Sequence, residues 1–169
     1  MKKKVLSVVA AAALVASLTV PAWAAVASPY GGAEAEGGDV TYTTQAQTGE
    51  DSQATQVYET IQGAESTEQE LGLLGDGLAE TVQAELGETS VNEYRAREIG
   101  SVAVSGEGAT TVTLSNLAGV SAGTEGFVMY LGTDGLWHYL SVSFGNRTAT
   151  FTVPYSTTVI LYVRVAAAA

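Results

Sequence analysis

The chain has 169 residues, with 18 carboxylates against seven basic side chains, one histidine, no cysteine and a formal charge of −11. That length suits one domain with tails. The acidic balance repels nucleic acid and anionic membrane surfaces, and the missing thiols exclude disulfide staples, a lipidated-cysteine anchor and cysteine chemistry.

Residues 1–24 have the build of a secretory signal peptide: Lys2-Lys3-Lys4, an apolar run from Val5 to Val20, and the small-x-small site Ala22-Trp23-Ala24. Cleavage is expected after Ala24, with Ala25-Val26-Ala27 offering a second site. The competing possibility is a retained anchor, but the run is short for a spanning helix and Pro21 precedes the cleavage motif. Nothing later is apolar for long enough to span a bilayer. The protein is therefore expected to be secreted, with surface association as an option, and its triple-lysine start and lack of cysteine fit a bacterial secreted protein better than a eukaryotic one. Asn146-Arg147-Thr148 matches a glycosylation sequon but in that setting reads as a turn.

Export removes every lysine. Arg95, Arg97, Arg147 and Arg164 then face 18 carboxylates, a formal charge of about −14. Lys–Asn and Lys–Asp isopeptide cross-links, lysine-linked pilin polymerisation and Schiff-base catalysis all lose their nucleophile.

Residues 25–63 read as a flexible acidic arm. From Ser28 to about Ala54 the sequence is rich in Gly, Thr, Gln and acid without sustained periodicity, too poor in apolar surface to offset the entropy of ordering. Gln56–Ile61 has the look of a short strand ended by Gly63.

Residues 64–92 read as an amphipathic helix and linker. Over Ser66–Gly87, residues Leu71, Leu74, Leu78, Val82 and Leu86 fall on one stripe. Thr67 and Glu70 have capping-box spacing, and Gly87 is placed to end the helix. Gly72, Gly75 and Gly77 each cost about 1 kcal/mol relative to alanine, so the stripe has to dock. Its own β-domain is the expected surface, ahead of a partner.

Residues 93–169 read as a β-sandwich domain. Glu98–Ser105 places Val102 and Val104 on one face, Gly106-Glu107-Gly108 turns, and Thr110–Asn116 alternates Val112 and Leu114 with threonines. Asp134-Gly135 then marks a hairpin over Gly126–Phe144. Ala149, Phe151 and Val153 alternate in the next strand, and after Pro154 the segment Thr157–Val165 closes with Val159, Leu161, Val163 and Val165. The fold expected is mainly β with one helix (α+β): a small antiparallel sandwich of about six strands, with the N-terminal amphipathic helix packed on it as a lid. About 70 residues of β-structure alone would make a marginal core.

The hairpin has two registers. A two-residue loop pairs Leu131 with His138, Met129 with Leu140 and Phe127 with Val142, and is preferred because it separates apolar from mixed residues. It puts Tyr130, Trp137 and Tyr139 on one face. A three-residue loop with a bulge at Gly135 slips the pairing by one and sets Trp137 beside Leu131.

Gly119-Val120-Ser121-Ala122-Gly123, Phe127-Val128-Met129-Tyr130, Asp134-Gly135-Leu136-Trp137 and Thr148–Val153 together resemble a β-sandwich (Ig-like) module. It recurs in secreted and cell-surface proteins of Gram-positive bacteria. The resemblance spans roughly Ser101–Val165, rests on turn and core residues, and implies fold without carrying over any catalytic residue. The end at Ala166–Ala169 shows no sorting motif, so covalent wall anchoring is not expected.

Little chemistry is legible. His138 lies mid-strand and reads as structural, and no Gly-x-Ser-x-Gly elbow is present. One histidine and no cysteine make a transition-metal site unexpected, and neither Glu34–Asp39 nor Glu50-Asp51 has the alternating oxygen ligands of a tight calcium loop. Gly72-x-x-Gly75-x-Gly77 lies within the helix, outside any phosphate-loop context. Glu98, Glu107, Glu125 and Asp134 are the sandwich's acids, all near turns or strand ends, and leave a secreted hydrolase as a residual option. No catalytic residue, metal or cofactor is assigned. The expectation is a non-catalytic secreted or surface-associated binding or assembly module, with an unidentified protein or glycan partner and homo-oligomerisation open. The alternative is a carbohydrate-binding module stacking sugar rings on Tyr130, Trp137 and Tyr139. Against that alternative, the same rings would pack under the helix against Leu74, Leu78 and Val82.

Overall fold

The structure, a computed structural model, describes residues 33–36 and 39–165. The expected signal peptide, both cleavage sites and Ala166–Ala169 lie outside the described residues. Within them are nine strands, three α-helices and two short 3-10 turns. The fold is mostly β, a sandwich-like α+β arrangement of two antiparallel sheets. One sheet has four strands in the order β1-β4-β8-β7, and the other has five in the order β2-β3-β9-β5-β6.

The first two strands, β1 (Ala33–Glu36) and β2 (Val40–Thr44), come from the segment expected to be a flexible arm. β1 pairs with β4 (Thr110–Leu114), whereas β2 pairs with β3 (Tyr94–Val104), so the arm edges both sheets. β1 brings only alanine to the inter-sheet core and β2 adds Val40 and Tyr42, so both depend heavily on ladder bonds, which composition does not register.

The segment read as a strand at Gln56–Ile61 is helical: α1 spans Gln53–Ile61 and buries Ala54, Val57 and Ile61. Spacings of three and four fit one helical face, and the Ser52 side chain caps the helix by accepting the Thr55 N–H at 3.2 Å. The single helix expected over Ser66–Gly87 is two, α2 (Thr67–Leu74) and α3 (Leu78–Leu86), broken at Gly75-Asp76-Gly77. Gly77 has φ +73°, a conformation that favours glycine and cannot continue a helix. The cap of α2 is Ser66 rather than Thr67: Ser66 Oγ accepts the Gln69 N–H at 3.2 Å. Thr67 is instead fully buried and its hydroxyl donates to the Tyr94 carbonyl at 2.6 Å, fastening α2 to β3.

The remaining strands are β5 (Gly126–Leu131), β6 (Trp137–Ser141), β7 (Ser143–Gly145), β8 (Thr148–Val153) and β9 (Thr157–Arg164). The second arm of the hairpin does not run straight to Phe144. It leaves the five-stranded sheet after Ser141 and joins β8 of the other sheet from Ser143.

Two cores result. Val102, Val112, Leu114, Val128, Phe151, Val153, Val159 and Leu161 fill the space between the sheets. On the other face of the five-stranded sheet, Phe127, Met129, Ile160 and Tyr162 pack with Ala54, Val57, Ile61, Leu71, Leu78 and Val82 of the helices. β9 is therefore buried on both faces, and so is the start of β5.

Gly100 on β3 is a contact point in the inter-sheet core. A Cβ there would stand 2.5 Å from the Tyr42 ring and hydroxyl, so the bare backbone makes room for the ring. Gly100→Ala is expected to destabilise the fold by about 1–3 kcal/mol through overpacking, read as a lower urea midpoint with unchanged m-value. An unchanged midpoint would mean that Tyr42 moves aside freely.

Candidate functional site

The β5–β6 hairpin positions all three sequence-predicted residues, and its register corrects the expected one. Leu131 pairs with Trp137, Tyr130 with His138, Met129 with Tyr139 and Val128 with Leu140. The loop Thr133–Gly135 is one residue longer than the preferred register requires. Gly135 takes φ +78°, and the Gly132 N–H donates to the Leu136 carbonyl at 2.7 Å. Asp134 Oδ1 accepts the Leu136 N–H at 3.0 Å, which locks the bulge. A type I turn followed by a left-handed glycine is the usual three-residue solution.

This one-residue slip divides the aromatic strip. Trp137 and Tyr139 face the helices, half-buried against the helix-side core. Tyr139 stacks on buried Phe127 at 5.7 Å between ring centroids. Tyr130 points to the opposite face, packed against the inter-sheet core. The three rings do not form one platform for a sugar.

Tyr130 belongs instead to a second group at the hairpin tip. Its ring stacks on His138 at 5.2 Å and meets Tyr155 edge-on at 6.2 Å. The Tyr155 hydroxyl accepts the Thr133 N–H at 2.9 Å. His138 Nε2 lies 3.0 Å from the Asp134 carboxylate. The Leu136 N–H bond, then His138, hold that carboxyl below its ordinary range. Leu136 projects beside them, 62 % exposed. His138 Nε2 meets both oxygens of the Asp134 carboxylate, at 3.1 and 3.0 Å.

Sequence reasoning missed two buried carboxyls, each set against a tyrosine. Glu70 on α2 is 2 % exposed and faces Tyr162 of β9. Burial pushes its carboxyl up to about 7, against the opposing pull of the Tyr162 hydroxyl and the Arg95 cation. Glu98 on β3 is 8 % exposed and faces Tyr42 of β2. Burial likewise raises it to about 7, against Tyr42 and Arg97. Both phenols are driven well above their ordinary value, first by burial and then by the facing carboxylate. Glu70 Oε2 and the hydroxyls of Tyr42 and Tyr162 have no partner at hydrogen-bonding geometry. The signals were present: Glu70 lies on the Leu71–Leu74 stripe, and Glu98 shares the parity of Val102 and Val104.

An open groove of about 490 Å³ lies among α2, α3 and the 3-10 turn Val91–Glu93, lined by Glu68, Glu80, Gln83 and Asn92 among others. Its polar groups largely serve the fold. Gln83 Nε2 donates to the carbonyls of Gly87 and Thr89, its Oε1 accepts the Val91 N–H, and Asn92 bonds Glu68. Among the described residues no three His, Asp or Glu side chains converge as metal ligands, and no helix is long and apolar enough to cross a membrane.

Comparison with known proteins finds no matching family model, no matching curated protein and no matching solved structure.

Proposed function

We propose that the protein is a non-catalytic, secreted or surface-associated module that works by binding or assembly. The observation that carries this reading is the separation of its two raised carboxyls. Glu98 pairs across with Leu161 and belongs to the inter-sheet side, whereas Glu70 meets Tyr162 on the helix side, so one sheet stands between them. Two acids sharing one glycosidic bond have to converge on it from a common cleft. His138 is engaged with Asp134 and Tyr130 on a hairpin tip, which offers shape and aromatic surface more than chemistry. The Ig-like kinship of Ser101–Val165 to Gram-positive surface modules is part of the same proposal, supported by two facing antiparallel sheets.

The test is a turnover assay on the exported protein with chromogenic glycosides, esters and peptides, beside His138→Ala and Asp134→Asn. No substrate is expected to turn over above buffer. Turnover that either substitution abolishes would overturn the reading. Sequencing the N-terminus of protein recovered from culture medium is expected to start at Ala25 or Ser28; retention in the membrane would remove the secreted part of the proposal.

A further inference from the structure

Four strands end the two sheets: β1 and β7 in one, β2 and β6 in the other. Each edge offers backbone N–H and C=O groups to another strand. Three of the four are blunted. β1 reads Ala-Glu-Ala-Glu, so laying a second copy against it brings carboxylates together, and β7 is only three residues long. On β2, the Ser105 N–H donates to the Asp39 carbonyl at 2.9 Å, a phase that turns Val40, Tyr42 and Thr44 outward. Thr44 is already used. Its N–H donates to Gln47 Oε1 at 3.1 Å and its carbonyl accepts the Thr48 N–H at 3.2 Å.

β6 is different. The Gly132–Leu136 bond sets a phase in which Leu136, His138 and Leu140 address β5, leaving the backbone of Trp137, Tyr139 and Ser141 turned away from it. Among the described residues no strand lies beyond β6 and no group bonds those outward N–H and C=O groups. The strand Trp-His-Tyr-Leu-Ser carries no carboxylate, in a chain with 18 of them. It also lacks the lysine or proline that commonly protects an exposed edge.

We propose that β6 pairs antiparallel with β6 of a second copy, about a twofold axis at Tyr139, joining the two five-stranded sheets edge to edge. This names the partner of the assembly reading and rests on it. In that register Tyr139 meets Tyr139 of the partner subunit, Trp137 meets Ser141 of the partner subunit, and His138 meets Leu140 of the partner subunit. Every outward backbone group of β6 gains a bond, and the paired strands themselves bring no acid to the seam. The contact is isologous and closes at two copies. The chain's overall negative charge still opposes approach at long range, with Glu85 acting on Tyr139 and Asp134 at the adjoining turn. Association between two acidic copies therefore tightens as salt rises. A basic strand from another protein, the competing occupant, would bind more weakly as salt rises.

Sedimentation equilibrium of the full chain in its exported form tests this. Raising ionic strength from about 0.01 M to about 0.15 M shortens the screening length from about 30 Å to about 8 Å. A monomer–dimer equilibrium that tightens severalfold over that range is expected. Ser141→Pro removes one outward N–H while leaving the β5 ladder intact. It is expected to weaken the dimer about tenfold or more, since the twofold removes the bond twice, with an unchanged circular dichroism spectrum. Should that variant fail to fold, hydrogen exchange on the unaltered protein decides instead: the Trp137, Tyr139 and Ser141 amides gain protection with protein concentration. A monomer at every concentration, a dimer that Ser141→Pro leaves intact, or exchange at these amides independent of concentration overturns the proposal. A monomer leaves the non-catalytic reading standing, because only measured turnover removes that.

Discussion

Phe127→Ala is expected to destabilise the fold by about 3–5 kcal/mol, the range for emptying a buried aromatic site. Phe127 is fully buried, and its ring lies 4.7 Å from Tyr162, 5.4 Å from Tyr94 and 5.7 Å from Tyr139 between centroids. Truncation removes its share of all three ring contacts, worth about 0.5–1.5 kcal/mol each beyond area, and leaves a void that β5, hydrogen-bonded on both sides, cannot collapse to fill. At about 2–4 °C per kcal/mol for a chain of this size, the melting temperature is expected to fall by roughly 10 °C. Phe127→Leu should recover part of the loss. Tyr130→Ala, one position-type over on the other face and only half-buried, should cost clearly less. Equal losses at Phe127 and Tyr130 would mean that the helix-side core is not the better packed of the two.

Where one face of a strand meets the core and the other meets solvent, period two was easy to read. Ala149, Phe151 and Val153 of β8 are buried, and the threonines between them bond Thr111 and Thr113 across the outer face, at 3.0 and 2.9 Å. β9 defeated the same rule. Val159, Ile160, Leu161 and Tyr162 are consecutive and all buried, because helices cover one side and the second sheet the other. A continuous apolar run is the mark of a strand covered on both faces, and Phe127-Val128-Met129 carries it too. The three-layer arrangement was thus written in two runs that alternation arguments pass over. The arm failed for the opposite reason: its few apolar side chains, Ala33, Val40 and Tyr42, reach the inter-sheet core only through ladders whose partners lie far along the chain. Of the site, the hairpin was legible and its face was not. One residue in the loop decides which side Trp137 takes, and Asp134-Gly135 serves both loop lengths.

The double replacement Glu70→Gln/Glu98→Gln is expected to flatten the protein's dependence of stability on pH and to raise stability above pH 7. Each carboxyl stands at about 7 in the folded protein against an ordinary 4.5. Between those values the folded state binds more protons than the unfolded one, so stability falls as pH rises. The contribution is fully present below about 4.5 and is lost once pH has passed about 7. Its size is on the order of 3 kcal/mol for each group, a large part of the 5–15 kcal/mol typical of a whole domain. Nothing nearby cancels it: Arg95 and the Tyr162 hydroxyl already act on Glu70, Arg97 and Tyr42 already act on Glu98, and burial still prevails. The difference in urea midpoint between the unaltered protein and the double variant, followed from about pH 5.5 to about pH 8, isolates these two. The unaltered protein should lose midpoint steadily across that window, each single variant about half as much, and the double variant little. Glutamine keeps the shape and neutrality of the protonated acid, so the change of slope stands even if an unpaired amide lowers the whole curve. A flat profile in the unaltered protein, or an equal slope in the double variant, would show that water reaches both carboxyls and that the two tyrosine–glutamate pairs are not dry.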